Sequence, residues 1–453
     1  MVTRRALRTV AVAVAVVAVL AGCRPHGPRF GPRPPRLPDA VALPIVFVHG
    51  FAGSAQQYES QAQRFAANGY PLERIVAFDH DGAGFDIAGY VAGLDQMVDD
   101  TRARFHTAKV YLVGHSRGTF VSSQYLADPS RAAKVAKYVA IDGAGCPAVV
   151  PCIAPTQGVL PGQSHVEVAT SKESFALQYE FLVERKPVVV DLVPERGWVE
   201  LSGRAVNFPA NTGRSGVTLA IWRVDGETGL RSRHWPDATF RLGADGAFGP
   251  FHAVSGAHYE YELSSPDSPV RHHLYLQPAV RDSRLVRLLS SDPGGATRTN
   301  TNVGPGHAAI VAIRMREWYA HDDPDLPGDQ SDVLTVTSGD RGAVNVLSSF
   351  VGNATIGLHL HDGVATPGQS TLGPLPYFST QPFQSGIDVF LPAAEPATGT
   401  LTVRNIPRGD TTRPQTLNVA NWPSDSHSIS VVFTDYPVDP KPCTHGLRHG
   451  WCR

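Results

Sequence analysis

The pentapeptide Gly114-His115-Ser116-Arg117-Gly118 sets a serine between two glycines, each two positions away. Residues 109–113 (Lys-Val-Tyr-Leu-Val) read as a buried strand, and residues 118–127 read as a helix. A turn that tight between strand and helix forces strained backbone angles on the serine. The flanking glycines permit close packing, and the hydroxyl projects above the sheet. The helix that starts there aims its first N–H groups at negative charge. This is the setting of a nucleophilic hydroxyl. The same five letters occur in unrelated proteins around an ordinary turn serine, so the strand–turn–helix context carries the reading for Ser116.

Such a nucleophile needs a base and an acid to orient the base, in the chain order serine, acid, histidine. Residues 137–141 read as a strand that ends in Asp142, at the carboxyl edge where an acid reaches an imidazole. His165 sits in a loop after Ser164 and ahead of a helix at 172–182, which suits the base. Asp79 and Asp81 end an earlier strand, on the other side of the nucleophile strand, and Asp191 comes after His165, so all three fit less well. His115 lies inside the elbow, facing away. A further strand closes in Val48-His49-Gly50-Phe51. The turn after it would supply one oxyanion N–H from Phe51, with a second from Arg117. One such donor is typically worth ~3 kcal/mol of transition-state stabilisation. His49 reads as a residue that holds the loop in shape.

The elements that must position these residues alternate. Strands at 44–49, 74–78, 109–113 and 137–141 are separated by helices at 56–68, 85–106 and 118–127, which implies a parallel sheet covered on both faces. In such sheets ligands bind beyond the carboxyl ends of the strands. After Pro194 helical periodicity nearly vanishes. Short strands at 198–208, 217–224, 259–263, 272–277, 343–350, 355–361, 387–391 and 428–433 lie between Gly, Pro, Asn and Asp turns, the pattern of an all-β sandwich or barrel. The expected organisation is residues 1–22 as a signal peptide, 23–43 as a tether, 44–192 as the parallel-sheet domain and 193–453 as the β region. A weak boundary is expected near 291–306.

The first segment bears on location. Arg4, Arg5 and Arg8 precede an uncharged apolar run that ends in Leu20-Ala21-Gly22-Cys23. The run has the shape of a signal h-region, and L-A-G-C matches the bacterial lipobox, in which Cys23 is lipidated. Residues 24–38, rich in Pro and Arg, read as a tether. The expectation is an exported protein, anchored to the outer face of a bacterial cell membrane or secreted. With Cys23 set aside, four cysteines remain, which suits an oxidising compartment. Three pairings are possible, and Cys146–Cys152 with Cys443–Cys452 close the shortest loops. A formal net charge of −1 in 453 residues argues against a nucleic-acid partner. His272-His273 and His359-x-His361 lack nearby carboxylates at ligand spacing, so no metal or other cofactor is expected, and the later histidines are read as surface or turn residues.

Taken together, residues 47–79, the elbow with Gly118-Thr119-Phe120, Ile141-Asp142-Gly143 and residues 164–182 resemble a family of microbial α/β-hydrolase lipases that includes an archaeal long-chain enzyme. The β region is similar too: Gly203-Arg204-Ala205-Val206-Asn207-Phe208-Pro209, Gly246-Ala247-Phe248-Gly249-Pro250 and Leu285-Val286-Arg287-Leu288-Leu289. The resemblance implies a hydrolase core followed by a C-terminal β-barrel domain that helps to bind acyl chains. It also implies a Ser116–Asp142–His165 triad that cleaves acyl or lipid esters through an acyl-enzyme. Two departures bear on substrate. Only 23 positions separate Asp142 from His165, too few for a long lid, and the charged Arg117 follows the serine. A polyester depolymerase or cutinase-like esterase, an acyltransferase on envelope lipids and an inactive binding lipoprotein are the alternatives. A fluorophosphonate separates the last, because only an activated serine reacts.

Overall fold

Five short strands between residues 45 and 153 pair side by side, all in parallel. They are β1 (Ile45–Val48), β2 (Ile75–Phe78), β3 (Val110–His115), β4 (Val135–Ile141) and β5 (Cys152–Ile153), in the sheet order β2-β1-β3-β4-β5. The computed structural model describes residues 35–292, 294–320, 331–339, 341–348, 350–352 and 354–438. The signal segment, Cys23 and most of the tether lie outside the described residues, as do Cys443 and Cys452.

The strand period of two explains why this sheet is buried on both faces. On β1, Ile45 and Phe47 point to one side, where helices α1 (Glu59–Ala67), α5 (Glu167–Thr170) and α6 (Lys172–Val183) supply Phe65, Val168, Phe175 and Tyr179. Val46 and Val48 point to the other, against Leu94 and Val98 of α2 (Ile87–Arg104) and Val121 and Tyr125 of α3 (Arg117–Leu126). Phe47, Phe65 and Phe175 are fully buried, each contributing about 1.5–3 kcal/mol. Short polar side chains start the helices. Asp86 accepts the Gly89 N–H at 3.0 Å ahead of α2, and Ser171 accepts the Ser174 N–H at 3.1 Å ahead of α6. A one-turn helix, α4 (Pro129–Ala132), lies between α3 and β4. The chain leaves β1 for β2 on one side and returns to β3 on the other, so a crevice opens at the carboxyl ends of β1 and β3.

Among the described residues sixteen strands follow. They are β6 (Trp198–Asn207), β7 (Thr212–Gly213), β8 (Thr218–Arg223), β9 (Ala238–Arg241), β10 (Ala247–Val254), β11 (Tyr259–Ser265), β12 (Ser268–Leu276) and β13 (Ser283–Ser290). Then come β14 (Ile310–Trp318), β15 (Val333–Ser338), β16 (Arg341–Asn345), β17 (Thr355–His361), β18 (Gln384–Asp388), β19 (Thr400–Ile406), β20 (Gln415–Ala420) and β21 (His427–Phe433). They form three sheets: β10-β6-β13 with β7 on β6; β18-β17-β14-β21-β12-β11-β8-β9; and β16-β15-β19-β20. The eight-stranded sheet is the middle layer. Leu274 and Tyr275 are neighbours on β12, yet Leu274 packs with Leu219, Phe248 and Leu288 while Tyr275 packs with Ile310, Leu334 and Val431. Strands from both sides of residues 291–306 share this sheet, joined where β12 and β21 pair in parallel.

The fold is the expected parallel α/β sheet followed by a mainly antiparallel β region. Two strands are displaced from their expected places. The one read at 343–350 ends at Asn345, and the one read at 387–391 is Gln384–Asp388, because the apolar residues beyond each leave the sheet to fill the core. One predicted disulfide is present, Cys146–Cys152. Only some histidines of the β region are surface residues as expected: His234 and His252 are exposed. His273, His359, His361 and His427 are buried in or beside the middle sheet, where partners such as Glu260 and Gln384 satisfy ring nitrogens that water would otherwise serve.

Candidate active site

Ser116 joins β3 to α3 with φ 53° and ψ −122°, a backbone region that a side chain makes costly. Its N–H bonds to Ile141 O at 3.0 Å, tying the turn to the end of β4. The glycines around it are required by space. A Cβ on Gly118 would lie 2.1 Å from Val48 O, and one on Gly50 would lie 2.9 Å from Ser116 Cβ. The helix therefore rests on the β1 backbone, and the segment after β1 passes directly beside the serine. Phe51 is next in that segment. Neither its N–H nor that of Arg117 is spent on another group of the described chain.

Asp142, at φ 40°, follows β4. Its Oδ2 accepts His165 Nδ1–H at 2.7 Å, and its Oδ1 accepts the Gln157 N–H at 3.1 Å. This leaves Nε2 as the open nitrogen of a half-exposed ring. Among the described residues no hydrogen bond joins the Ser116 hydroxyl to His165; in the free state such contacts are often loose and tighten with substrate. Between the elbow and the His165 loop stands His115. Its Nε2–H donates to His165 O at 3.0 Å and its Nδ1 accepts from Gln57 Nε2 at 2.6 Å. Burial, helped by His165, lowers its pKa to about 3, so it stays neutral with one donor and one acceptor nitrogen.

Family models divide the chain the same way. A model described as serine aminopeptidase S33, a hydrolase family, matches residues 40–152, and one described as a lipase C-terminal domain matches residues 197–293. The chain is an α/β-hydrolase with a lipase-type C-terminal domain. A third model, of a C-terminal domain, matches residues 296–437. No curated protein matches the sequence. Among solved structures, a Bacillus licheniformis lipase in mature form is 23% identical over 36% of this chain and 58% of its own, with a TM-score of 0.22. An extracellular α/β-hydrolase from a Paenibacillus species is 17% identical over 23% and 42%, with a TM-score of 0.18. A Bacillus megaterium epoxide hydrolase is 17% identical over 22% and 36%, with a TM-score of 0.18. The hydrolase thus spans less than two thirds of the length of each.

The loops around the serine are braced from several directions. His49 stacks on His80 with ring centres 3.9 Å apart, and its Nδ1–H donates to Gly50 O at 2.8 Å. Burial, then the neighbouring His80, lowers its pKa to about 3. Asn211, from the β region, donates to Gly53 O at 2.8 Å and His80 O at 2.9 Å. The Arg117 side chain does not bring a free charge to the site. Its guanidinium donates to Asp81 O and Gly84 O, both at 2.6 Å, and lies over the Phe51, Phe85 and Tyr90 rings. Of the rival acids, Asp79 is buried and engaged by Arg204 at 3.0 Å and Arg287 at 2.7 Å. Asp81 caps its own turn at Ala83, and Asp191 pairs on the surface with Lys172.

A cavity of about 180 Å³ opens on the β region, lined by apolar groups such as Phe208, Leu289, Ile313, Met315 and Ile356. None of Ser116, Asp142 and His165 lines it. It touches the segment after β1 at Ala52, the residue after Phe51. No cluster of His, Cys, Asp and Glu among the described residues is arranged to hold a metal. No helix among them is long and apolar enough to cross a membrane. Sequence reasoning missed His115 as a support of His165, Asn211 as a brace, and the charged residues of β14, of which Arg316 and Glu317 reach the segment around His165. The signal for the last was present: Arg314, Arg316 and Glu317 interrupt an otherwise apolar strand.

Proposed function

We propose that this hydrolase cleaves carboxylic esters of acyl lipids, with Ser116 as nucleophile, His165 as general base and Asp142 as the acid that orients it. The observation that carries the reading is the 2.7 Å bond between Asp142 Oδ2 and His165 Nδ1, beside a serine held in a strained elbow. His165 Nε2 takes the Ser116 proton as the oxygen attacks the ester carbonyl, and Asp142 steadies the imidazolium. The unspent N–H groups of Phe51 and Arg117 donate to the oxyanion. The proton passes to the leaving alcohol, and water then cleaves the acyl-enzyme by the same groups. No cofactor enters these steps. The apolar cavity meeting the oxyanion segment at Ala52 supports an acyl chain as the apolar part of the substrate. The lipobox at Cys23 supports an exported, lipid-anchored enzyme.

The test is hydrolysis of p-nitrophenyl esters from acetyl to stearoyl by the mature chain and by Ser116→Ala. Turnover by the first and a loss of at least 10³-fold in the second is expected, with an optimum above the shortest chains. Equal turnover in the two would remove Ser116 from the mechanism. An optimum at acetyl would remove the acyl-lipid substrate.

A further inference from the structure

The loop that carries His165 is held in place by a carboxylate from the β region. Glu317, in β14, is 1% exposed. Its Oε1 accepts the Val166 N–H at 2.5 Å, and its Oε2 accepts the Glu167 N–H at 3.1 Å and the Ser164 hydroxyl. Three donors from both sides of His165 thus converge on one side chain. From the opposite direction His115 holds the His165 carbonyl, and the Val168 N–H closes on Ser164 O at 3.0 Å. The backbone on either side of the imidazole has little freedom left.

A buried carboxylate is costly unless it is paired. Here the pairing is collective. Arg316 and Arg408 reach Glu167 at 2.8 and 2.7 Å, and Arg314 and Arg408 each reach Asp332 at 2.8 Å. Arg314 also donates to the Glu317 carbonyl at 2.7 Å. Two carboxylates, of Glu167 and Asp332, pair with the three guanidiniums, while the Glu317 side chain is satisfied by the Val166 and Glu167 N–H groups and the Ser164 hydroxyl. Only Glu167 belongs to the hydrolase domain. Apolar side chains of equal volume could glue two domains together without this desolvation cost. They could not fix hydrogen-bond donors on both sides of one chosen residue.

We propose that Glu317 is the positioning residue for the catalytic base, so that the β region sets where His165 stands relative to Ser116. This rests on the role given to His165 above. The test measures the rate and final extent of Ser116 labelling by a fluorophosphonate, with kcat and KM for a p-nitrophenyl ester, on the full mature chain. Glu317→Ala is expected to label to the wild-type extent but about 10- to 100-fold more slowly, with kcat reduced in step and KM within about twofold. Glu317→Gln keeps an acceptor for one N–H and recovers part of the rate. A wild-type rate in Glu317→Ala overturns the proposal. So does a reduced extent with the remaining sites reacting at the wild-type rate, the signature of partial unfolding. If Glu317→Ala does not fold, Ser164→Ala removes one of the three donors and leaves the charges intact. A several-fold slower rate in it supports the proposal, and a wild-type rate overturns it. Ser116→Ala keeps the two readings apart: if it still turns over, the assignment of the site fails; if it is inert while Glu317→Ala is unimpaired, only the positioning role fails.

Discussion

Single residues at this site are held where an isolated chain would not put them. Ser116 and Asp142 both have positive φ, at 53° and 40°, each costing about 1–3 kcal/mol. Each is secured by its own N–H, on Ile141 O and Pro155 O. The carboxylate of Asp142 then selects which nitrogen of His165 carries the proton. Asp142→Asn keeps the size and backbone position of the side chain but can present an amide N–H to Nδ1. It would leave the proton on Nε2, where the base must be open. The expected result is a fall in kcat of about 10³- to 10⁴-fold, a modest change in KM and an unaltered Tm. Steady-state kinetics with thermal melts check this, and a loss of less than tenfold would detach Asp142 from the base. The sequence brings these three residues into view because each follows a strand or precedes a helix in a recognisable order. Glu317 was invisible to that logic. Its contact with Val166 spans 151 positions and belongs to no motif.

At the scale of elements, the segment between β4 and α5, which includes β5, is cross-linked. Cys146 and Cys152 close a ring of six positions within it. The same segment supplies Pro155 O and the Gln157 N–H to Asp142. A ring of this size removes about 2 kcal/mol of chain entropy from the unfolded state. Replacing both cysteines by serine is expected to lower stability by about that amount in urea titrations and to reduce kcat several-fold through the looser acid. A variant as stable as the parent would show that the loop is held by its packing alone. Strands of the parallel sheet were legible because both their faces are apolar. Several of the later strands were not. In β14 the run Ile310–Trp318 carries Arg314, Arg316 and Glu317, all buried, so the alternation that marks a strand is broken by side chains whose partners lie in other elements. The two residues of β5 are too few to leave any pattern.

At the scale of the whole molecule, the two halves meet through charge, and this gives stability an opposed dependence on pH. Burial alone would raise the pKa of Asp79 and Glu167, but arginines outweigh it: Arg287 beside Asp79, and Arg316 with Arg408 beside Glu167. Folded pKa values below the unfolded ones mean that this stabilisation is present above the unfolded carboxylate range and is lost as pH falls through the folded values. Asp435 runs the other way. It is buried beside α1, where Ser60 donates to its Oδ2 at 2.7 Å. Burial pushes its pKa up to about 7, against the opposing pull of that hydrogen bond and of Arg64. Between about pH 4 and pH 7 the folded chain therefore holds a proton there that the unfolded chain has released. Stability falls with rising pH over this window, by at most about 1.4 kcal/mol per pH unit, and levels off above it. Asp435→Asn keeps the volume and an acceptor for Ser60 without the buried charge. Its Tm is expected to exceed that of the parent clearly at pH 8 and much less at pH 5, in melts run across that range at constant ionic strength. A gap that stays constant with pH would mean that the carboxyl of Asp435 does not titrate in the folded protein. A gap that widens toward acid would mean that its charge is paired, as those of Asp79 and Glu167 are.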